Sequence, residues 1–374
     1  MHIRPAQAAD IDQLCAIEQS CFNTDRISRR SFSRFIKRDN HSALLVAVAD
    51  QGQIAGYGLN LYRENISLAR LYSIACAPDY RGQSVGELLI QALEADAIER
   101  ACAYWRLEVR EDATKVAAWY QALGFKQRGL SPGYYEDGCS ALKMEKRLLP
   151  AVASRPSSLY YAQTTPVTCG PSALLMAMAQ ASGDVSASQT AELDIWREAT
   201  TIYMTQGVGG CSGEGLALAA SKRGFEGELW VSDNDTPFVD SVRDAAKKQI
   251  IETVHEHFLS QLSASPVTRK VGQRNIEQLR EKLENGYSLI ALISTWTLNR
   301  NRAPHWVHIV AISEKFVYIN DPDLDAEDWQ QSAVSAADFS SLPMTHAAFE
   351  RARSYGKRRL SVVLCIKSAV VSQS

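Results

Sequence analysis

The residues with the clearest chemical potential gather around one thiol. In "TTPVTCGPSALLMAMA", Thr164 to Ala179, Cys169 stands just before Gly-Pro and ahead of a long apolar, alanine-rich stretch. A packed cysteine, the ordinary small hydrophobe, would lie inside that stretch. One placed ahead of it stands at the mouth of a helix, expected over 171–182. The helix dipole there favours the thiolate and can lower a thiol pKa from about 8.5 toward roughly 3.5–7.5. A nucleophile also needs a base, an orienting group and an oxyanion donor. Gln163 precedes Cys169 by six residues and carries an amide that can donate. His305 opens "HWVHIVAI", an alternating apolar strand, and Asp321 ends the next strand in "FVYINDPD". If those strands are antiparallel neighbours, His305 and Asp321 meet at one end of a sheet. His308, three residues further along the strand, faces the other way. Cys211 in "GVGGCSGEG" reads as a loop cysteine before a helix. His255 and His257 are two apart on a helix and share no face, so no metal site is expected.

A second chemical signal lies in "LYSIACAPDYRGQSVGELLIQALEADA", residues 71 to 97. A strand ending at Cys76 runs through Pro78 into the turn Arg81-Gly82-Gln83-Ser84-Val85-Gly86, with a helix from about Ser84. Unpaired amides and the helix dipole make such a turn a place for a pyrophosphate. Taken alone, the same residues also describe an ordinary turn before a helix.

At 374 residues the chain is too long for one ordinary core, which implies two domains. The break falls in "LLPAVASRPSSLYY", 148 to 161, giving domains over 1–149 and 158–374 with a linker at 150–157. Before it the pattern reads as helices 8–21, 28–38, 84–101 and 114–123 with strands 42–49, 53–61, 66–77, 104–110, 125–130 and 138–147. After it come helices 171–182, 213–224, 237–261 and 273–285, and strands 288–294, 306–312, 315–320 and 360–367. "VVSQS" at the end reads as a frayed tail. Hydrophobic content of 46% and charged content of 22% describe a soluble globular protein. The net charge of −2 supplies no bulk attraction to nucleic acid or anionic membrane. No run of apolar residues reaches membrane-spanning length, and "MHIRPAQAADIDQL" lacks the apolar segment of a signal peptide. Eight scattered cysteines without a CxxC pair suit a reducing cytoplasm.

Residues 2–148 resemble the GNAT N-acetyltransferases. Arg81 and Gly86 match the family's acetyl-CoA loop, Arg/Gln-x-x-Gly-x-Gly/Ala, while Ser84 stands where its middle glycine is usual. Within the family, "LEVREDATKVAAWYQALGF", 107 to 125, is most similar to the ribosomal-protein N-terminal alanine acetyltransferases. That resemblance implies Glu108 as general base and Tyr120, twelve residues on, as general acid. It also implies acetyl-CoA as a substrate held by Ile74, Cys76, Arg81, Gly82, Gln83, Ser84, Val85 and Gly86. Ala113 replaces a common asparagine that touches the cofactor's pantetheine arm. "DRISRRSFSRFIKRD", 25 to 39, carries six basic residues in the region that lies over the family's acceptor groove. It reads either as a preference for acidic acceptor peptides or as a solvated helix face over buried Phe32, Phe35 and Ile36.

Residues 158–325 resemble the papain-like peptidases that remove double-glycine leaders from bacteriocin precursors. Gln163, Cys169-Gly170, His305-Trp306-Val307 and Asp321-Pro322 fit that family's intervals. The resemblance implies Cys169 as nucleophile, His305 as base, Asp321 as orienter and Gln163 as oxyanion donor. The two resemblances together imply an α/β (α+β) protein: a GNAT-fold mixed sheet followed by a papain-like cysteine peptidase domain. Its expected substrates are a peptide or small amine, with neither nucleic acid nor membrane as partner. Two other readings of the second half stay open: a peptide-binding module with an idle triad, and amide-bond transfer in place of hydrolysis.

Overall fold

A computed structural model describes residues 1–22, 24–37, 41–63, 65–148, 158–204, 208–294, 303–323, 339–356 and 358–369. The linker expected at 150–157 and the tail "VVSQS" lie outside these residues. The described chain forms two compact units, one up to Leu148 and one from Ser158.

The first unit opens with strand β1 (His2–Pro5), then helices α1 (Ile11–Cys21) and α2 (Arg29–Ile36). Next come β2 (Ser42–Val48), β3 (Ile54–Tyr62), β4 (Leu68–Cys76), α3 (Val85–Glu99) and β5 (Tyr104–Arg110). Helix α4 (Thr114–Ala122), β6 (Lys126–Ser131) and β7 (Ala141–Arg147) complete it. The strands form one sheet in the order β1-β2-β3-β4-β5-β7-β6, antiparallel except for β4 and β5. Leu14, Ile17, Phe32 and Phe35 from α1 and α2 bury against Tyr57, Leu59 and Ala75 on one face. Leu93 of α3 and Tyr120 of α4 join Leu71, Leu107 and Val109 on the other. Helix α2 begins at Arg29, one residue after the 28 expected, because Ser28 accepts the Ser31 N–H and fixes its start; residue 38, the expected end, lies outside the described residues.

One irregularity shapes this sheet. Leu59 pairs with Ser73, but Asn60 pairs with Leu71, so Tyr72 is an extra residue in β4. Such a bulge bends the strand and flips its faces. Leu71 accordingly packs toward α3 and α4, while Ala75 packs toward α1 and α2. The ladder between β4 and β5 runs only from Leu68–Tyr104 to Leu71–Leu107. Beyond the bulge, β4 continues to Cys76 and β5 to Arg110 without pairing, and a gap opens between them.

The second unit has α5 (Cys169–Ser182), α6 (Gln189–Ala199), α7 (Gly213–Ser221), β8 (Phe225–Val231), α8 (Ala245–Leu262), β9 (Val267–Val271) and α9 (Ile276–Glu284). Strands β10 (Ser288–Ser294), β11 (Pro304–Ile312), β12 (Phe316–Asn320) and β13 (Leu342–Thr345), helix α10 (His346–Ala352) and β14 (Val362–Ser368) follow. The sheet order is β13-β12-β11-β10-β14-β8-β9, with only β8 and β9 parallel. Helices α5, α6 and α7 bury Leu174, Leu175, Met178, Ile195 and Leu216 against Leu229, Leu292, Trp306 and Leu364. The helix expected over 237–261 starts later, at Ala245, where the Asp244 side chain accepts the Lys247 N–H. Strands β8, β9 and β13 and helices α6 and α10 are additional to the sequence reading.

Candidate functional site

Cys169 is the first residue of α5, two residues earlier than the start expected. Its N–H and that of Gly170 therefore head the helix, where the helical pattern provides no acceptor. Pro171 has no N–H and is tolerated in this first turn. Gly170 is required by packing: a Cβ there would lie 3.1 Å from Trp306 and 3.2 Å from both Cys211 and Leu216. The close approach seats the helix start on β11, which carries His305 at its beginning.

Strands β11 and β12 pair antiparallel, with His308 opposite Asn320, so the start of one meets the end of the other. His305 Nε2 lies 2.7 Å from Asp321 Oδ1, both groups buried. With Nε2 held by Asp321, Nδ1 is the ring nitrogen left for a thiol, and Cys169 is close enough to act on the ring electrostatically. Burial works to lower the His305 pKa. The Asp321 charge, then Cys169, outweigh it and hold the imidazole well above its usual value. Gln163 is tied to the same corner, its backbone N–H donating to Pro322 O at 2.8 Å. Its Oε1 is buried with no hydrogen-bond partner among the described residues. The structure thus hydrogen-bonds His305 to Asp321, brings Cys169 into the same neighbourhood, and ties the Gln163 backbone to the residue after Asp321.

The remaining polar candidates of this unit behave differently. His308 is fully buried, lies 3.5 Å from the Asn320 amide, and is pushed down to about 3 by desolvation. Cys211 is also buried; desolvation, then the neighbouring Cys169, raises its pKa well above the ordinary thiol value. Neither is poised for chemistry at neutral pH. His255 is buried too, 3.9 Å from Glu214, and desolvation lowers its pKa.

In the first unit, Glu108 sits on β5 just beyond the end of the β4–β5 ladder. Leu107 and Val109 point into the α3/α4 core, so Glu108 faces the α1/α2 side. Its Oε2 meets Arg70 Nε at 2.9 Å in a buried ion pair, and Arg70 Nη2 donates to Tyr134 Oη at 2.6 Å. Tyr120 lies on the opposite face, its ring between Trp119 and Phe125. Desolvation, then Cys76, pushes its pKa up, so the phenol keeps its proton. Glu108 and Tyr120 therefore flank the gap from opposite faces of the sheet.

The loop from Arg81 to Ser84 is exposed. Gly82 and Ser84 both have left-handed backbone, with φ of +76° and +56°, and such residues bring successive N–H groups to one concave side. Ser84 is the residue before α3 and makes no side-chain cap. Gly86 is held between the strand end and α4: a Cβ would lie 3.3 Å from Trp119 and 3.9 Å from Cys76 Sγ. Ile74 and Cys76, on the end of β4 that pairs with β3 but not with β5, pack beside Val85 and Leu89. Exposed amides, a glycine where a side chain would intrude, and a gap leading to Tyr120 fit a pyrophosphate with a thioester-bearing arm. Ala113, the residue before α4, caps it with no side-chain bond.

Comparison with known proteins places both halves. Residues 158–367 match the model of the peptidase C39-like family. The chain belongs to the peptidase C39-like family. Residues 7–148 match the GNAT acetyltransferase domain. A Bacillus subtilis protein provisionally described as a ribosomal protein bS18 alanine N-acetyltransferase is 31% identical over 136 residues, 36% of this chain and 87% of that protein. An uncharacterised N-acetyltransferase of Methanocaldococcus jannaschii is 30% identical over 148 residues, 39% of this chain and 92% of its own length. The crystal structure of the Escherichia coli ribosomal-protein-S18-alanine N-acetyltransferase covers 43% of this chain and 99% of its own at 25% identity, with a TM-score of 0.36. The N-terminal unit is a GNAT acyltransferase domain, and acetyl-CoA is the co-substrate of that family. No helix among the described residues is long and apolar enough to cross a membrane.

Sequence reasoning missed the groups that hold the C39-like site in place. Glu192 on α6 is fully buried and accepts both the Thr164 N–H at 2.8 Å and the Tyr161 hydroxyl at 2.9 Å, either side of Gln163. Asn320 is buried as well. Its Nδ2 donates to Ser158 Oγ and Leu159 O, and its Oδ1 accepts the Ser341 N–H. Tyr160 Oη donates to Asp321 O at 2.7 Å. The place of Asn320 beside Asp321 was a signal that could have found it; no sequence signal distinguished Glu192 from surface glutamates. On the GNAT side, Arg70 was missed because its contact with Glu108 depends on the parallel register of β4 and β5.

Proposed function

We propose that this chain is a bifunctional cytoplasmic enzyme. Residues 1–149 transfer acetyl from acetyl-CoA to a peptide N-terminus or small amine, and residues 158–374 form a cysteine peptidase, joined by a linker at 150–157. The observation carrying the peptidase reading is the buried His305–Asp321 pair beside the half-buried Cys169, in which Asp321 orients the ring and Cys169 heads a helix. Cys169 attacks a substrate carbonyl, and the helix-start N–H groups with the Gln163 amide stabilise the oxyanion. The His305 imidazolium then gives its proton to the departing amine, and the neutral ring takes one from the water that releases the acyl group.

The acetyltransferase works across its sheet gap. Arg81 and the loop amides of residues 82–86 hold the pyrophosphate, and Ile74 and Cys76 line the way to the thioester. Glu108 takes a proton from the acceptor ammonium on the α1/α2 face. Tyr120, kept protonated by burial, gives one to the departing thiolate on the other face. The exposed Arg26, Arg29 and Arg30 beside that face would favour an acidic stretch in the acceptor peptide.

A single assay tests both activities: a peptide with a double-glycine junction, given with acetyl-CoA and followed by mass spectrometry. The intact chain should yield cleaved and acetylated products. Cys169→Ala should abolish cleavage alone, and Tyr120→Phe should suppress acetylation alone. Iodoacetamide labelling of Cys169 without cleavage of any peptide would reduce the second unit to a binding module. New amide products in the presence of added amines would show acyl transfer in place of hydrolysis.

A further inference from the structure

Acetylating an ammonium removes two protons from one nitrogen. The first leaves before attack, because a protonated amine has no lone pair. The second leaves from the tetrahedral adduct as the amide forms. Glu108 can hold one of them, and its Oε2 is already engaged by Arg70. A second proton acceptor on the acceptor's face of the sheet would take the other without waiting for Glu108 to discharge the first.

That face contains a hydrogen-bonded chain that the reaction so far leaves unused. Glu18, near the end of α1, is buried at 2% exposure. Its Oε2 accepts the Ile27 N–H at 2.9 Å, and its Oε1 accepts the hydroxyl of Tyr57 on β3. The Tyr57 oxygen lies 2.8 Å from Ser73 Oγ. Because Tyr57 gives its hydrogen to Glu18, the Ser73 hydroxyl is the donor in that second bond. Its lone pairs are then available to accept from a substrate nitrogen. Ser73 is the first residue past the bulge, on the part of β4 that has parted from β5, and it is half-buried. Tyr57 belongs to the α1/α2 core, which puts the chain on the same face as Glu108.

We propose that Ser73, Tyr57 and Glu18 form a second proton exit from the acceptor amine, with Ser73 Oγ the atom that touches the nitrogen and Glu18 the terminal acceptor. This rests on the acetyltransferase reading above. In the step, a nitrogen proton passes to Ser73 Oγ, the Ser73 proton passes to Tyr57 Oη, and the Tyr57 proton passes to Glu18. Ser73 and Tyr57 end neutral, and Glu18 ends as a carboxylic acid. With Glu108 also protonated, two protons have left the nitrogen; Tyr120 has supplied one to the thiolate. One of the two restores Tyr120 and the other leaves to water.

The environment of Glu18 suits a group that must both take and release a proton near neutrality. Desolvation pushes its carboxyl up to about 7, against the opposing Ile27 N–H and the Arg26 charge. Besides these, Tyr57 from β3 and Cys15 from its own helix are the titratable groups that face it. A general base works best with a pKa close to the operating pH.

The test compares acceptors that differ in how readily nitrogen gives up its protons. The full chain and its Ser73→Ala and Tyr57→Phe variants are assayed at pH 7 with a short alanine-initiated peptide and with trifluoroethylamine, a weakly basic amine. Loss of a proton-accepting route should slow peptide acetylation by about 10²-fold or more, while the loss with trifluoroethylamine stays within about threefold, because its nitrogen deprotonates without help. Calorimetry should show unchanged acetyl-CoA binding in both variants. Equal losses for the two amines, or no loss with the peptide, would overturn the proposal. If the wild-type chain acetylates neither amine, the acetyltransferase reading itself has failed, which is a distinct result. Should Tyr57→Phe fail to fold, Ser73→Ala, at a half-buried position, decides alone.

Discussion

The two candidate sites of this protein are built on opposite treatments of a β-sheet. In the C39-like unit the ladder is kept. Strand β11 stays paired with β10 through His305, which lies opposite Ile293, while its ladder with β12 shifts register between Ile309 and Ala311 and ends at His308–Asn320, and Asp321, just past β12, reaches His305. In the GNAT unit the ladder is broken. The pairing of β4 with β5 ends at Leu71–Leu107, next to the extra residue at Tyr72, and Glu108 and Tyr120 lie on opposite faces of the sheet. The difference follows from the substrates. A triad needs three protein groups in contact with each other, so continuous pairing serves it. An acyl transfer between two bound molecules needs each to reach the other through the sheet, so the sheet must open.

The comparison predicts that removing one group is most severe where protein groups act on each other. His305→Ala should lower peptide cleavage by about 10⁴-fold or more, since members of such a unit fail together. It should also slow iodoacetamide labelling of Cys169 at pH 6, measured by mass spectrometry beside the other seven cysteines. Equal labelling rates for Cys169 and Cys211 would break the comparison, because Cys211 is buried without an imidazole partner.

Across the open sheet the expected loss is smaller. Tyr120→Phe should reduce kcat for acetylation by about 10²–10³-fold, the usual worth of a general acid, with the KM for acetyl-CoA nearly unchanged. A large rise in that KM would mean that the phenol binds the cofactor rather than protonating the thiolate.

The gap itself can be narrowed. Gly86→Val would place methyl groups against Trp119, already 3.3 Å from an added Cβ. Acetyl-CoA binding should weaken at least tenfold, about 1.4 kcal/mol, read by calorimetry on the full chain. Undiminished affinity would show that the arm does not pass beside α4.

How much of this was legible in the sequence follows the same division. The triad was readable because an antiparallel hairpin with a short turn maps sequence intervals directly onto space. His305 and Asp321 are sixteen residues apart and 2.7 Å in contact. Glu108 and Tyr120 were readable because α4 follows β5 after a short turn. The bulge at Tyr72 was not, because the sequence there reads as one continuous strand. The partnership of Arg70 with Glu108 depends on the parallel register of two strands separated by a helix. Helix α6 was absent from the reading because its polar residues outnumber its apolar ones. Its buried Glu192 looked no different from the exposed charges around it, yet it fixes the backbone beside Gln163.

Glu192 therefore gives a test of how rigid the continuous site must be. Glu192→Ala leaves the Thr164 N–H and the Tyr161 hydroxyl without their shared acceptor, at a cost of about 1–3 kcal/mol. Cleavage should fall more through kcat than through KM, because the Gln163 donor acts on the transition state. A fall in stability with kcat unchanged would mean that the segment around Gln163 holds its position without this clamp.

The smallest expected effect concerns the cofactor loop, where a serine holds a backbone conformation that suits glycine. Ser84 has φ of +56° and ψ of +22°, and its side chain makes no cap bond to offset the strain. A left-handed L-residue costs roughly 1–2 kcal/mol. Glycine removes that cost in the folded state but adds freedom to the unfolded chain, worth about 0.4–1 kcal/mol in the other direction. Ser84→Gly should therefore stabilise the GNAT unit by between about 0 and 1.6 kcal/mol. Its effect on acetyl-CoA should be slight, because the amide that faces the pyrophosphate is already oriented. Denaturant unfolding and calorimetry of the full chain measure the two quantities. If the variant binds acetyl-CoA tenfold more tightly, Ser84 holds the loop away from its binding form, and the open site is less pre-formed than the closed one.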